Sequence, residues 1–223
     1  MFSVVSVVVV SLACVTVVTN ASAGDAGKMS FFITSVGPGN GVDLGGLEGA
    51  DKHCQKLGSS AGAGDRAWRA YLSAQGKDFA DQNVVNARDR IGSDPWYNAK
   101  GVLIANDVEE LHSPNNYLNK ETALDENCQM VNGRTEKPNT HDILTGSRLD
   151  GTLFGPRFFT DMTCGDWTQS GEGAVMLGHH DRVGPNDNAW TKSWNSAHLS
   201  KRCSPEVLKK SGGDGLFYCF AEK

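Results

Sequence analysis

The run Gly178-His179-His180-Asp181-Arg182 holds the residue types best suited to bind a transition metal, since imidazole nitrogen and carboxylate oxygen are both good ligands. Neighbouring residues on a strand face opposite ways, so His179 and His180 are not expected to share one ion. A set gathered from farther apart, His141, Asp142, His180 and His198, has suitable chemistry. No spacing in the chain joins its members, and ordinary polar loops are the preferred reading. Covalent catalysis has less to build on. Gly146-Ser147 in "LTGSRLDG" puts a serine after a glycine without the strand-to-helix turn that a nucleophile elbow needs. Glu109 and Glu110 are neighbours on a face expected to be solvated, and a hydrolase is the weakest of the functional readings. Trp190 and Trp194 flank Thr191-Lys192-Ser193 in an Asn-rich loop. Their faces suit sugars or a protein hot spot, and equally suit anchoring of the loop itself.

The elements that must position these groups are short. "SFFITSVG", Ser30 to Gly37, reads as an opening strand ended by a Gly/Pro/Asn turn. In "GLEGADKHCQKLG", Leu47, Ala50, Cys54 and Leu57 recur every three or four residues. This predicts an amphipathic helix with Cys54 inward, Glu48 and Asp51 near its N-terminus and Gly58 as its stop. Trp68, Ala70 and Leu72 alternate with Arg69 and Tyr71, the period of a half-buried strand. Lys77 to Ile91 reads as a second short helix or coil, Asp94-Pro95-Trp96 as a turn and "KGVLIAN" as a strand. Regular periodicity is lost from about Asp107 to Asp150, and long irregular stretches of this kind are often functional or stapled down. "GLFYCFAEK" closes the chain as an apolar strand. No repeat or linker divides it, so one loop-rich α+β domain is expected.

The first 23 residues carry no charged side chain and end in Ala21-Ser22-Ala23. They read as a signal peptide over residues 1–23, with a domain over 24–223 and a secreted or periplasmic location; an uncleaved anchor is the alternative. Once the leader is removed no membrane span is expected. The net charge of −5, with no basic cluster, argues against nucleic acid as a partner. Cys54, Cys128, Cys164, Cys203 and Cys219 would remain. No two lie two to four residues apart, which argues against a cysteine-zinc site. In an oxidising compartment disulfides are expected, with one thiol left over.

"GADKHC" followed by "AGAGDRAWRAYLS", then "VVNARDRI" with "PWYNAKGVLI", "CGDWT" and "GLFYCF" resemble, in that order, the C-type-lectin-like fold in its endostatin-like form and bacterial secreted lectin-like proteins. The resemblance implies two nested disulfides, Cys54 with Cys219 and Cys164 with Cys203. Cys128 matches no cysteine of the family, and reads as an incidental loop thiol or as a link that makes a dimer. The zinc-binding histidines of endostatin lie near its N-terminus, where "GDAGKMSFF" has none, so zinc is not carried over.

Sugar-binding C-type lectins hold calcium with oxygens from a Glu-Pro-Asn type loop and a Trp-Asn-Asp strand. "EKPNTHD" and "SWNSAH" resemble that arrangement, though Lys137 is inserted and Ser196 stands where the last aspartate would be. The resemblance implies calcium on Asn139, Asp142 and Asn195, with Trp190 and Trp194 completing a ligand surface. The expected function is non-catalytic binding of a glycan or an extracellular-matrix-type protein. A structural or assembly protein of the cell envelope is the alternative.

Overall fold

The computed structural model describes residues 28–76, 84–93, 95–155 and 160–222. The expected signal peptide, residues 77–83 of the Lys77 to Ile91 segment and Asp94 of the expected turn lie outside them. In chain order the elements are β1 (Phe31–Ile33), α1 (Gly46–Ser60), β2 (Ala67–Ala70), β3 (Trp96–Tyr97), β4 (Leu103–Ala105), α2 (Val108–Leu111), β5 (Asp142–Leu144), β6 (Met176–His179), β7 (His198–Leu199), α3 (Pro205–Ser211) and β8 (Gly213–Glu222). The chain is therefore α+β, and two disulfides close it.

The closing apolar run organises everything else. β8 pairs antiparallel with β1 on one edge; on the other it meets β2 near its C-terminus and, in parallel, β5 near its N-terminus. β6 and β7 extend the sheet beyond β5, both antiparallel. Because side chains alternate along a strand, β8 feeds two cores at once. Phe217, Cys219 and Ala221 join the cluster under α1, with Trp68, Trp167 and Leu177. Leu216, Tyr218 and Phe220 join the opposite cluster, with Phe31, Tyr71, Trp96 and Trp194. A strand buried on both faces shows a continuous apolar run, as "GLFYCFA" does.

Two expectations change for this reason. Tyr71 is fully buried instead of facing water, because residues of the irregular region, among them Leu111, Leu118 and Ala123, cover the second face. Gly58 is not the helix stop. α1 runs on to Ser60, and Gly58 lies inside it because the Trp68 indole packs against its Cα. A Cβ there would come within 2.4 Å of Trp68 Nε1. The opening strand covers only Phe31–Ile33 of the expected Ser30 to Gly37, and the described part of the second helix is a single 3₁₀ turn, Ala87–Arg90.

Asp51 does more than favour a helix end. Its carboxylate accepts two bonds from Arg90 Nη2, both 2.8 Å, and one from the Ala70 amide, fastening α1 to β2 and to the 3₁₀ turn. Cys54–Cys219 ties α1 to β8 and Cys164–Cys203 closes the later loop inside it. These bridges span 165 and 39 residues. Loop entropy alone would make them worth at most about 5 and about 4 kcal/mol. Among the described residues Cys128 is the free thiol, half-buried, with its Sγ 3.2 Å from the Ala99 carbonyl. No helix among the described residues is long and apolar enough to cross a membrane.

Candidate functional site

The β5–β6–β7 register assembles a group that linear spacing does not show. Asp142 pairs directly with His179 across β5 and β6. His198 on β7 pairs with Leu177, two residues before His179 and so on the same face of β6. His141 enters from the residue before β5. Its ring passes over Gly212, where an added Cβ would meet His141 Cδ2 at 3.1 Å. The Nε2 atoms of His141, His179 and His198 each lie 3.2 Å from one atom, Asp142 Oδ1.

Each ring is also held from its far side. His141 Nδ1 lies 3.2 Å from Asp181 Oδ1, His179 Nδ1 2.6 Å from the Thr191 carbonyl and His198 Nδ1 3.0 Å from the Leu199 carbonyl. His179 Nε2 has no hydrogen-bond partner, so the proton of its neutral ring sits on Nδ1. Both nitrogens of His141 and His198 face oxygens that only accept, and either can carry the proton. Asp181 is itself held by the amides of Arg134 and Val183, and His141 with these hydrogen bonds keeps its carboxyl well below the usual range in spite of burial. Burial also opposes the charge on Asp142, but the facing imidazoles of His179, His198 and His141 outweigh it and bring its pKa to about 2. In return, the hydrogen bond to Asp142 raises the pKa of His198.

His141, Asp142 and His179 are buried, while the His198 side chain is 41% exposed. Among the described residues, the buried side-chain atoms without a hydrogen-bond partner include Asp142 Oδ2 and His179 Nε2, both in this cluster. Of the metal set considered from sequence, His141 and Asp142 fall in the group that could hold an ion, His179 takes the place of His180, and His198 stands at its edge. His180 turns away, as adjacency on a strand requires, and its Nε2 meets the Asn132 carbonyl. Burial lowers the pKa of His180 to about 4. The β5–β6 register is the signal that would have selected His179.

The oxygen set implied for calcium does not fit. Asn195 is buried, its Nδ2 donating to Tyr71 Oη and to the Arg148 and Leu149 carbonyls while its Oδ1 accepts from Ser193 Oγ. That amide is spent inside the protein. Asn139 Oδ1 accepts from the His141 amide, and Asp142 is ringed by nitrogens. Nitrogen donors suit borderline metals, whereas calcium takes six to eight oxygens.

No protein-family model matches the sequence, and no curated protein matches it.

The two loop tryptophans part company. Trp194 is buried against Tyr71, Tyr218 and His112, with ring centroids at 4.8, 5.2 and 5.7 Å, and anchors the loop. Trp190 is 64% exposed. It borders a concavity of about 210 Å³ with Arg148, Leu149, Asp150, Phe154 and Ser196. Leu149 is shared with a second hollow of about 370 Å³ that includes His112, Arg182 and Lys192. Arg182 and Lys192 are shared in turn with a third of about 440 Å³, walled by the 183–187 loop. Gly58-Ser59-Ser60-Ala61-Gly62 has the spacing of a nucleophile elbow. It ends a helix instead of starting one, and Ser60 Oγ donates back to the Lys56 carbonyl.

Proposed function

We propose that this chain is a secreted, non-catalytic binding protein of the C-type-lectin-like, endostatin-like type, and that it recognises a glycan or glycan-bearing matrix ligand. One observation carries the reading. The three hollows share lining residues and so lie side by side, and in the first of them Trp190 stands exposed among charged and hydroxyl groups. An aromatic face takes the C–H face of a sugar ring, while Arg148, Asp150, Ser196 and Lys192 offer partners for its hydroxyls. A run of shallow hollows suits a chain of rings better than one compact small molecule. The nested pairing of four cysteines in the order found in that fold supports the same assignment, as does a closing strand joined to the first helix.

Binding is measured by glycan array and by Trp fluorescence titration with the oligosaccharides that score. Trp190→Ala is expected to weaken binding at least tenfold while leaving the thermal midpoint in place. A ligand that binds Trp190→Ala and the wild type equally, or an array with no bound glycan, would sink the reading.

A further inference from the structure

His179 Nε2 and Asp142 Oδ2 are buried without a hydrogen-bond partner, and His141 Nε2 lies beside them, 3.2 Å from Asp142 Oδ1. Leaving buried polar atoms unpaired is costly. A single divalent cation gives these atoms a partner with neutral rings and one carboxylate. In a four-coordinate site with bonds of about 2.0–2.1 Å, ligand atoms stand about 3.3 Å apart. The separations of His141 Nε2 and His179 Nε2 from Asp142 Oδ1 are each 3.2 Å. The Nδ1 contacts of these two rings with Asp181 and with the Thr191 carbonyl are the outer supports that metal-binding histidines characteristically have.

We propose that His141, Asp142 and His179, whose ligand atoms all lie within 4.8 Å of one another, form a site for one divalent transition metal of zinc type. Three protein ligands leave the fourth position of a tetrahedral ion to a water or another donor. His198, half exposed on β7, contacts Asp142 Oδ1 from the open side and positions that carboxylate. The ion would clamp β5 to β6. Through the His179 contacts with Thr191 and Ser193 it would also steady the loop that carries Trp190. The proposal does not depend on what that loop binds.

The test uses the purified full chain, stripped with chelator and reloaded with Zn²⁺, Co²⁺ or Ca²⁺. The expected result is one equivalent of zinc retained through gel filtration, a higher thermal midpoint with Zn²⁺ but not Ca²⁺, and the intense visible absorption of four-coordinate Co²⁺. His179→Ala should abolish retention. Because that variant can fail to fold, His198→Ala at the exposed edge is read as well. It should remain folded and, because Asp142 loses a positioning partner, bind Co²⁺ several-fold more weakly while keeping a four-coordinate spectrum. Asp181→Asn, which changes the carboxylate that supports His141 without touching a ligand, should weaken binding roughly 10–100-fold. His53→Ala, on α1, should leave retention unchanged. Failure to retain zinc or cobalt, octahedral cobalt spectra, or retention unaffected by both His179→Ala and His198→Ala would overturn the site. Glycan binding that fails while zinc is retained counts against the hollows alone.

Discussion

The two ends of the sheet are closed by different chemistry. Around β1, β2 and α1 the closure is covalent and apolar: Cys54–Cys219 lies in a cluster with Phe32, Trp68 and Phe217. Around β5, β6 and β7 the sheet instead encloses a buried group of two histidines and an aspartate, with His198 half exposed beside it. The first end is held by a bond that persists whatever the solution contains. The second has stability that varies with what occupies the polar group. The comparison teaches that one small sheet can combine a fixed half and a conditional half.

The strongest way to break this comparison is at the covalent end. Replacing Cys54 and Cys219 together with Ala is expected to lower unfolding stability by up to about 5 kcal/mol, measured by urea denaturation. Retention of one zinc under native conditions should survive, since no ligand lies near α1. If removing this bridge also abolishes metal retention while the circular dichroism stays native, the two ends are not separate and the contrast fails.

How much of this was legible depends on which link of the chain carried the information. Helix α1 and strand β8 were readable because burial leaves a periodic or continuous apolar trace over many residues. The pairing of the cysteines came only from the resemblance of the ordered motifs to a known fold, and the two bridges agree with it. Tyr71 was misread because alternation predicts a wet face only where nothing covers it, and the covering residues come from a stretch without periodicity. Asn195 looked like a ligand because an amide has the same formula whether it meets solvent or three buried partners. His179 was passed over for His180 because a single residue of register decides which of two adjacent histidines faces Asp142, and register is a pairwise property that one strand does not contain.

A second variant sharpens the contrast within the conditional half. Trp194 and Trp190 are four residues apart, yet one is core and the other surface. Trp194→Ala removes a ring that touches Tyr71 and Tyr218 and should cost about 3–5 kcal/mol in urea unfolding. Trp190→Ala should stay within about 0.5 kcal/mol of wild type. Equal costs for the two would mean that the loop is anchored by Trp190 as well, and the exposed aromatic platform would then have a structural role.

The smallest change tests whether the conditional half is set by its histidines or merely by backbone strain. Gly212 sits at φ 120°, and its carbonyl accepts the Asp142 amide at 2.9 Å. Alanine there would bring Cβ to 2.8 Å from Asn139 Nδ2 and 3.1 Å from His141 Cδ2. Strain in a region L-residues avoid costs about 1–3 kcal/mol. The His141 ring must also move, so cobalt affinity should fall about tenfold. Gly39 supplies the control, with φ 98° and nothing within 4 Å of an added Cβ. Gly39→Ala carries the backbone cost without displacing any ring. Denaturation midpoints lowered in both variants, with cobalt affinity reduced only in Gly212→Ala, would show that the position of His141 governs this end of the sheet. An unchanged affinity in Gly212→Ala would mean that His141 is not a ligand, and Asp142 with His179 alone would be too few to hold the ion.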